Sequence, residues 1–341
     1  MNRRLLLAIT IALAAAGCVR ERAPAEDGAA PTGGEPPATA FRIRGAGERL
    51  RIAVVPKGTT HQFWQTIRAG AESAGREFNV EVLWNGPKSE TDIQDQIDII
   101  NNFANQGVDG ICLAATDRRS LVAPVEALMR RGIPVIVIDS GIDADVALSF
   151  IATDNVAAAR QGAETLGRLL NGQGKVAVMP FLRGAGTSDE REQGCLAGLA
   201  AFPGITAFST DHTNSDSAEA QKVMETLLAQ HPDLAGVFAC NEPNVVGVAS
   251  VLKTRGLDGR VKVVGFDASP AEIDYLRAGV VQALVVQNPF RMGYEGVKQL
   301  AQTLRGGNPP PKRIDTGATI ATRENMGDPE VRKLLFPLES R

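Results

Sequence analysis

The strongest constraint on this chain is a rhythm: short, apolar, β-branched runs alternate with longer stretches of helical spacing over most of its length. It opens with Arg51-Ile-Ala-Val-Val55, helical spacing from His61 to Phe78, the run Val80-Glu-Val-Leu-Trp84, and a helical stretch over 92–105. Runs over 108–113 and 134–138 then flank a helix over 121–130. Strands that are continuously apolar are buried on both faces, and helices between them supply the crossovers that parallel strands need. The rhythm restarts near Thr153 with a helix over 154–170, then strands over 175–179, 205–208, 236–239, 261–266 and 280–286. A helix over 289–304 closes the body. The pattern predicts an α/β chain of two similar, doubly wound halves with parallel sheets, for which 341 residues suffice. The repeat is much too long for a solenoid.

The N-terminus breaks this rhythm and reads as a processing segment. Arg3 and Arg4 precede an apolar stretch over 5–16, the length of a signal-peptide core and short for a membrane span. It ends in Ala15-Ala16-Gly17-Cys18, which resembles a bacterial lipobox, with Ala15 where leucine is usual. The resemblance implies that 1–17 is removed and that Cys18 is lipidated; a plain cleaved signal with an incidental cysteine is the other reading. Residues 18–47 are rich in Ala, Pro, Gly and Glu and nearly devoid of large apolar side chains, so they read as a disordered tether.

Charge and composition exclude several functions. A formal net charge of -3 implies no basic face, so nucleic acid is not an expected partner, and the membrane is expected to be met only through the lipid. Cys112, Cys195 and Cys240 are widely spaced and odd in number, against a disulfide framework or zinc site. With three histidines, no activated nucleophile and no cofactor fingerprint, neither an enzyme, a metal nor a cofactor is expected. Asn171-Gly-Gln-Gly-Lys175 runs from helix to strand, the reverse of a phosphate loop.

Ligands of doubly wound sheets lie beyond the carboxyl ends of the strands, so function is sought there. After the first strand comes a turn, Lys57-Gly-Thr-Thr-His61, with Phe63 and Trp64 behind it, in a chain that is only 5% aromatic. Flat rings suit the C–H face of a sugar. The alternative is that both rings begin a helix and pack inward, and His61 is equally a ligand contact or a helix-start residue. Asp139-Ser140 and Asp267 follow later strands, where a carboxylate can accept from two neighbouring hydroxyls or simply cap a helix. Asn241 and Gln287 offer amides at two further strand ends, and Arg191 opens a helix. Trp84 either lines the cleft mouth or packs in the sheet. Replacing Trp64 or Asp267 is expected to leave the fold intact.

Taken in order, these segments resemble the periplasmic binding proteins of the ribose-binding type, whose body is shared with the cores of the lactose-repressor family. The resemblance rests on Ile52-Ala-Val-Val55 with Phe63-Trp64, Val135-Ile-Val-Ile-Asp139, Ala152-Thr-Asp154-Asn155, His231-Pro-Asp233, Val237-Phe-Ala-Cys-Asn241, Val263-Val-Gly-Phe-Asp267 and Val285-Val-Gln287. It implies two Rossmann-like domains joined by a three-crossing hinge, with crossings near Thr153, Gln287 and Asp315. The domains would be 48–153 plus 288–314, and 154–287 plus 315–341. It also implies a monomeric, extracytoplasmic protein, in the periplasm or on the cell surface, that carries a neutral sugar or polyol to an ABC permease. A sensor partner of a membrane receptor, or a binder of a nucleoside or small signalling furanose, is the alternative. A repressor is not expected, because an export signal stands where a DNA-binding head would be. Three departures from the ribose pattern are visible, the first being Gln193 where ribose-binding proteins have an arginine two places after the one at Arg191. Ser140 replaces an arginine after the first aspartate, and the aromatic expected in the second domain's loop falls near Ser215, so one stacking face is missing.

Overall fold

The computed structural model describes residues 41–45 and 47–339, so the signal segment, Cys18 and most of the tether lie outside the described residues. The first lobe begins with β1 (Leu50–Val55), α1 (Gln62–Glu77), β2 (Val80–Trp84), α2 (Ile93–Asn105), β3 (Gly110–Leu113), α3 (Val122–Arg130), β4 (Val135–Ile138) and β5 (Ser149–Ala152). The second follows with α4 (Asn155–Leu169), β6 (Gln173–Met179), α5 (Gly186–Leu199), β7 (Gly204–Ser209), α6 (Ser217–Gln230), β8 (Leu234–Ala239), α7 (Glu242–Thr254), β9 (Lys262–Phe266), α8 (Pro270–Ala278) and β10 (Ala283–Gln287). The chain returns to the first lobe as α9 (Pro289–Leu304) and β11 (Arg313–Asp315). It ends in the second as β12 (Ala318–Thr322) and α10 (Pro329–Leu335).

Each lobe holds a six-stranded sheet, ordered β11-β5-β4-β3-β1-β2 in the first and β12-β10-β9-β8-β6-β7 in the second. All pairings are parallel except β10 with β12. The central strands are buried along all or nearly all of their length, as continuous apolar runs demand, and helices cover both faces with two core layers per lobe. Side chains start several helices: Asp92, Asp154 and Asn288 each accept from a backbone N–H three residues on, and Ser269 and Glu272 form a reciprocal box on α8. The chain passes between lobes after β5, after β10 and after β11.

Four elements escape the sequence pattern. β5, β11 and β12 are short; β11 alternates between exposed and half-buried positions, β12 is half-buried except at Ala321, and α10 has only seven residues. The strand expected from 280 begins at Ala283, because Gly279 closes α8 with φ 76° and the N–H groups of Val280 and Val281 both turn back to Tyr275 O. The body also begins before residue 48: the Arg44 guanidinium pairs with Asp109, and its N–H donates to Leu304 O at 2.8 Å.

The helix that carries Phe63 and Trp64 is held by unusually close packing. A Cβ on Gly70 of α1 would lie 2.0 Å from Phe290 O, and one on Gly293 of α9 would lie 2.0 Å from Ile67 O. The two backbones touch, and neither obstacle is a flexible side chain. Gly293→Ala is expected to destabilise the protein by about 1–3 kcal/mol through overpacking, read as a lower Tm in thermal denaturation.

Candidate ligand-binding site

The carboxyl ends of both sheets converge on one small cavity of about 20 Å³ between the lobes. From the first lobe it is lined by Lys57, His61, Phe63, Trp64, Glu90 and Asp139. The second lobe contributes Phe181, Arg191, Asn241, Glu242, Pro243, Asp267 and Gln287.

The two aspartates occupy equivalent places, directly after β4 and β9, which hold the same position in their sheets. Both adopt left-handed backbone, Asp139 at φ 56° and Asp267 at φ 84°. Both N–H groups donate to the neighbouring strand, Asp139 to Ile151 O and Asp267 to Val285 O. Such a conformation is uncommon outside glycine, although aspartate tolerates it better than most residues, and here it turns each carboxylate off the sheet edge. Neither caps a helix, since Ser269 caps α8 and no helix follows β4.

Charges in the cavity are largely compensated in pairs. Lys57 is 3% exposed, and its Nζ lies 3.2 Å from Asp139 Oδ2, an ion pair without the directionality of a hydrogen bond. Burial holds Asp139 above its ordinary range, although Lys57 and Arg191 pull the other way. His61 Nδ1 lies 3.3 Å from Glu90 Oε1, which also accepts from Trp64 Nε1 at 2.8 Å. Burial opposes the charged imidazole, yet the hydrogen bond and charge of Glu90, with Glu242 and Asp267 behind, hold His61 above its ordinary value. Burial likewise opposes the Glu90 carboxylate, but His61, Lys57 and the Trp64 N–H outweigh it and bring Glu90 down to about 2. Arg191 Nη1 donates to Cys240 O at 2.9 Å and its Nε to Asn155 Oδ1 at 2.8 Å, leaving the guanidinium 4.1 Å from the Phe266 ring centre and 4.0 Å from Asp267. Asp267 accepts from Gln287 Nε2 at 2.7 Å and from the Glu242 N–H at 3.1 Å.

Eight of the nine expected cleft residues line the cavity; Ser140 does not, being fully buried with an Oγ that lacks a hydrogen-bond partner. Asn241 also caps α7, accepting from the Asn244 N–H, while its Nδ2 donates to Ser215 Oγ at 2.7 Å. Trp64 both lines the cavity and packs inward: it is 2% exposed in the first lobe's core. The expectation that it can be replaced without disturbing the fold is therefore corrected, because Trp64→Ala would empty a core position. The same holds in part for Asp267, where a Cβ on left-handed backbone carries strain once its hydrogen bonds are gone. Trp84 packs against the core and does not line the cavity.

Lys57, Glu90, Phe181 and Glu242 were not singled out from sequence. For Lys57 and Phe181 a signal existed, since both follow Pro after equivalent strands, in Val55-Pro56-Lys57 and Met179-Pro180-Phe181. Phe181 supplies a ring face where the second lobe was expected to lack one, and it lies 5.4 Å from Lys57 Nζ. Cys112, Cys195 and Cys240 are buried free thiols, and none of them lines the cavity.

A larger cleft of about 290 Å³ flanks the hinge, between the loop after β4 and the start of α5. Several of its charges are matched within the protein: Arg118 with Asp143 and Asp189, and Lys312 with Asp145. None of the buried unpartnered polar atoms among the described residues belongs to its wall, whereas Asp139 Oδ2 and Gln287 Oε1 belong to the smaller cavity. Chemistry therefore favours the smaller space.

Residues 52–308 match the periplasmic binding protein domain, three quarters of the chain. The chain belongs to the periplasmic binding protein family. It is 28% identical to the D-allose-binding periplasmic protein of Escherichia coli, over 75% of this chain and 85% of that one. It is 29% identical to the D-ribose/D-allose-binding protein of Pseudomonas aeruginosa, over 77% and 84% of the respective chains. A carbohydrate transporter solute-binding protein from Agrobacterium radiobacter, solved with D-arabinose, superposes with a TM-score of 0.81 at 32% identity, covering 84% of this chain and 99% of that one. An ABC transporter solute-binding protein from Agrobacterium vitis with bound α-D-tagatopyranose gives 0.81 at 33% identity, with the same coverage. Family membership makes this a binding protein and not an enzyme.

The Glu90 cluster gives a pH test. Because the folded Glu90 titrates at about 2 against an ordinary 4.5, its contribution, on the order of 3 kcal/mol, is complete above pH 4.5 and lost as pH falls through about 2. Glu90→Gln is expected to lower stability at pH 7, flatten that acid loss in denaturant titrations, and bring the His61 NMR titration down.

Proposed function

We propose that this solute-binding transport component captures a neutral monosaccharide or related polyol by closing its two lobes on it, and delivers it to an ABC permease. The observation that carries this reading is the pair of aspartates at equivalent strand ends, one in each lobe, facing one cavity with the amide of Gln287. Carboxylates and amides that still have acceptor capacity suit a ligand that brings hydroxyl donors. The cavity's cations are matched by its own carboxylates, which leaves no free positive charge for an anionic ligand. Phe63 and Phe181 provide apolar faces from opposite lobes. A ligand that touches both lobes binds the closed form better and shifts the hinge equilibrium towards it. The sugars named for the relatives are of the same chemical kind.

The moving bodies in this proposal are 48–153 with 288–314 and 154–287 with 315–341, divisions supported by which sheet each strand joins. We further propose that the protein works as a monomer outside the cytoplasmic membrane, held by lipid on Cys18. No helix among the described residues is long and apolar enough to cross a membrane. The exposed large hydrophobics among them, Ile43, Val156, Leu169 and Leu338, are scattered, which supports the monomer.

Asp267→Gly deletes the carboxylate where left-handed backbone suits glycine. It is expected to cost about 1.5–3 kcal/mol of binding, one to two decades in Kd, by titration calorimetry against pentoses, hexoses and polyols. Wild-type affinity is expected to be nearly independent of salt, and tight binding of a sugar phosphate or amino acid would overturn the neutral-ligand reading. Cys18→Ser is expected to release the protein from the membrane fraction or leave it unprocessed; a wholly soluble wild type after export would remove the anchor.

A further inference from the structure

Glu242 is the first residue of α7 in the second lobe, yet its side chain is spent on the first. Its own N–H is fixed within its lobe, donating to Asp267 Oδ2 at 3.1 Å. Across the cleft, Glu242 Oε1 accepts from the Gln62 N–H and Oε2 from the Phe63 N–H, each at 3.3 Å. These are the first two amides of α1, whose N-cap residue, His61, makes no side-chain cap. A helix leaves such amides without intrahelical partners, and its dipole favours an anion beside them. Here the accepting carboxyl group comes from the opposite lobe.

We propose that Glu242 is a positioning residue for ligand capture, an interlobe latch that caps α1 from across the cleft and favours the closed form by a contact between protein groups alone. The proposal rests on the reading of capture as lobe closure and adds to it a bias that precedes the ligand. Opening separates the carboxylate from both amides, so the latch is made only in the closed form. It also sets α1, and with it the Phe63 ring, against the second lobe's wall. A second protein-only contact, Lys57 Nζ donating to Thr187 Oγ1 at 3.0 Å, crosses the same cleft, as does the Arg118 N–H to Gly184 O at 2.9 Å. Loss of Glu242 is therefore expected to weaken closure without abolishing it. A populated closed form before binding raises apparent affinity by the fraction that is competent.

The test measures ligand-free closure directly, by single-molecule energy transfer between dyes on one introduced surface cysteine per lobe, on the full chain in detergent. Glu242→Ala is expected to lower the closing equilibrium about tenfold, the scale of one hydrogen bond to a charged group. Glu242→Gln, which keeps one acceptor oxygen, is expected to retain part of it. Gln62→Pro removes one donor from the other side of the latch at a helix position that accepts proline, after a residue already extended at φ -75°, ψ 149°. It is expected to shift closure in the same direction, and it carries the test if Glu242→Ala does not fold. A ligand-free wild type that is always open, or the same distance distribution in wild type, Glu242→Ala and Gln62→Pro, overturns the latch. Weaker sugar binding with unchanged ligand-free closure also overturns it, making Glu242 a ligand contact only. Failure of every sugar to bind, with the variants still shifting ligand-free closure, would overturn the sugar reading and leave the latch standing.

Discussion

A buried ammonium group organises the cleft. Lys57 Nζ sits among Asp139 Oδ2, Thr187 Oγ1 and the rings of Trp64 and Phe181, both about 5.5 Å from it or nearer. Taking such a charge out of water costs several kcal/mol unless partners surround it, so each partner's placement becomes a condition on the fold. Asp139 must leave β4 in a left-handed turn, Trp64 must enter the core at the start of α1, and Thr187 must arrive from the other lobe. The first two conditions are met within the first lobe. The third is met only when the lobes approach, which ties the comfort of one buried charge to the closure of the whole molecule.

The lobes are alike in sheet order but unlike in what they place at equivalent points. Val55-Pro56 leads to Lys57 where Met179-Pro180 leads to Phe181. Asp139 meets the lysine, whereas Asp267 is held by Gln287, the Glu242 N–H and, at longer range, Arg191. Repetition of one architecture thus yields two walls of different character. One carries an ammonium and an imidazole–carboxylate pair, the other a guanidinium, amides and a ring. Such asymmetry can orient a ligand that the fold alone would leave free to bind either way round.

Most of the fold was legible because its signal is local. Continuous apolar strands such as Val135-Ile-Val-Ile138 are stable only with both faces covered, and the helices between them keep a 3.6-residue period. β5, β11 and β12 were not, since their pairing is decided by the strands beside them and not by their own residues. In the cleft, residues directly after a strand were readable from position, which is how Asp139, Asn241, Asp267 and Gln287 were found. Glu90 lies in the loop after β2 and reaches the site by the hydrogen bond it accepts from Trp64 and its pairing with His61, a relation between distant segments. Glu242 looked like an ordinary acidic first turn of a helix, and its cross-lobe role exists only in three dimensions.

Two of the departures from the ribose-type pattern are resolved by compensation in space. Where that pattern has an arginine after the first aspartate, this chain has Ser140, and the cation beside Asp139 comes instead from Lys57 at the end of another strand. Where an aromatic is absent near Ser215, Phe181 at the end of β6 presents a ring, and Ser215 accepts from the Asn241 side chain. Each exchange keeps the chemical element while moving its origin by one or more strands. A shorter, rotatable ammonium cannot make the planar two-pronged contact of a guanidinium, so Lys57 supplies charge with less directional demand. The directional work then falls on the carboxylates and on the amide of Gln287, whose Oε1 is buried without a partner. On the proposed reading, selectivity in this cleft turns on which ligand hydroxyls can reach Asp139, Asp267 and Gln287 together, a geometric condition set by the two left-handed turns at the ends of β4 and β9.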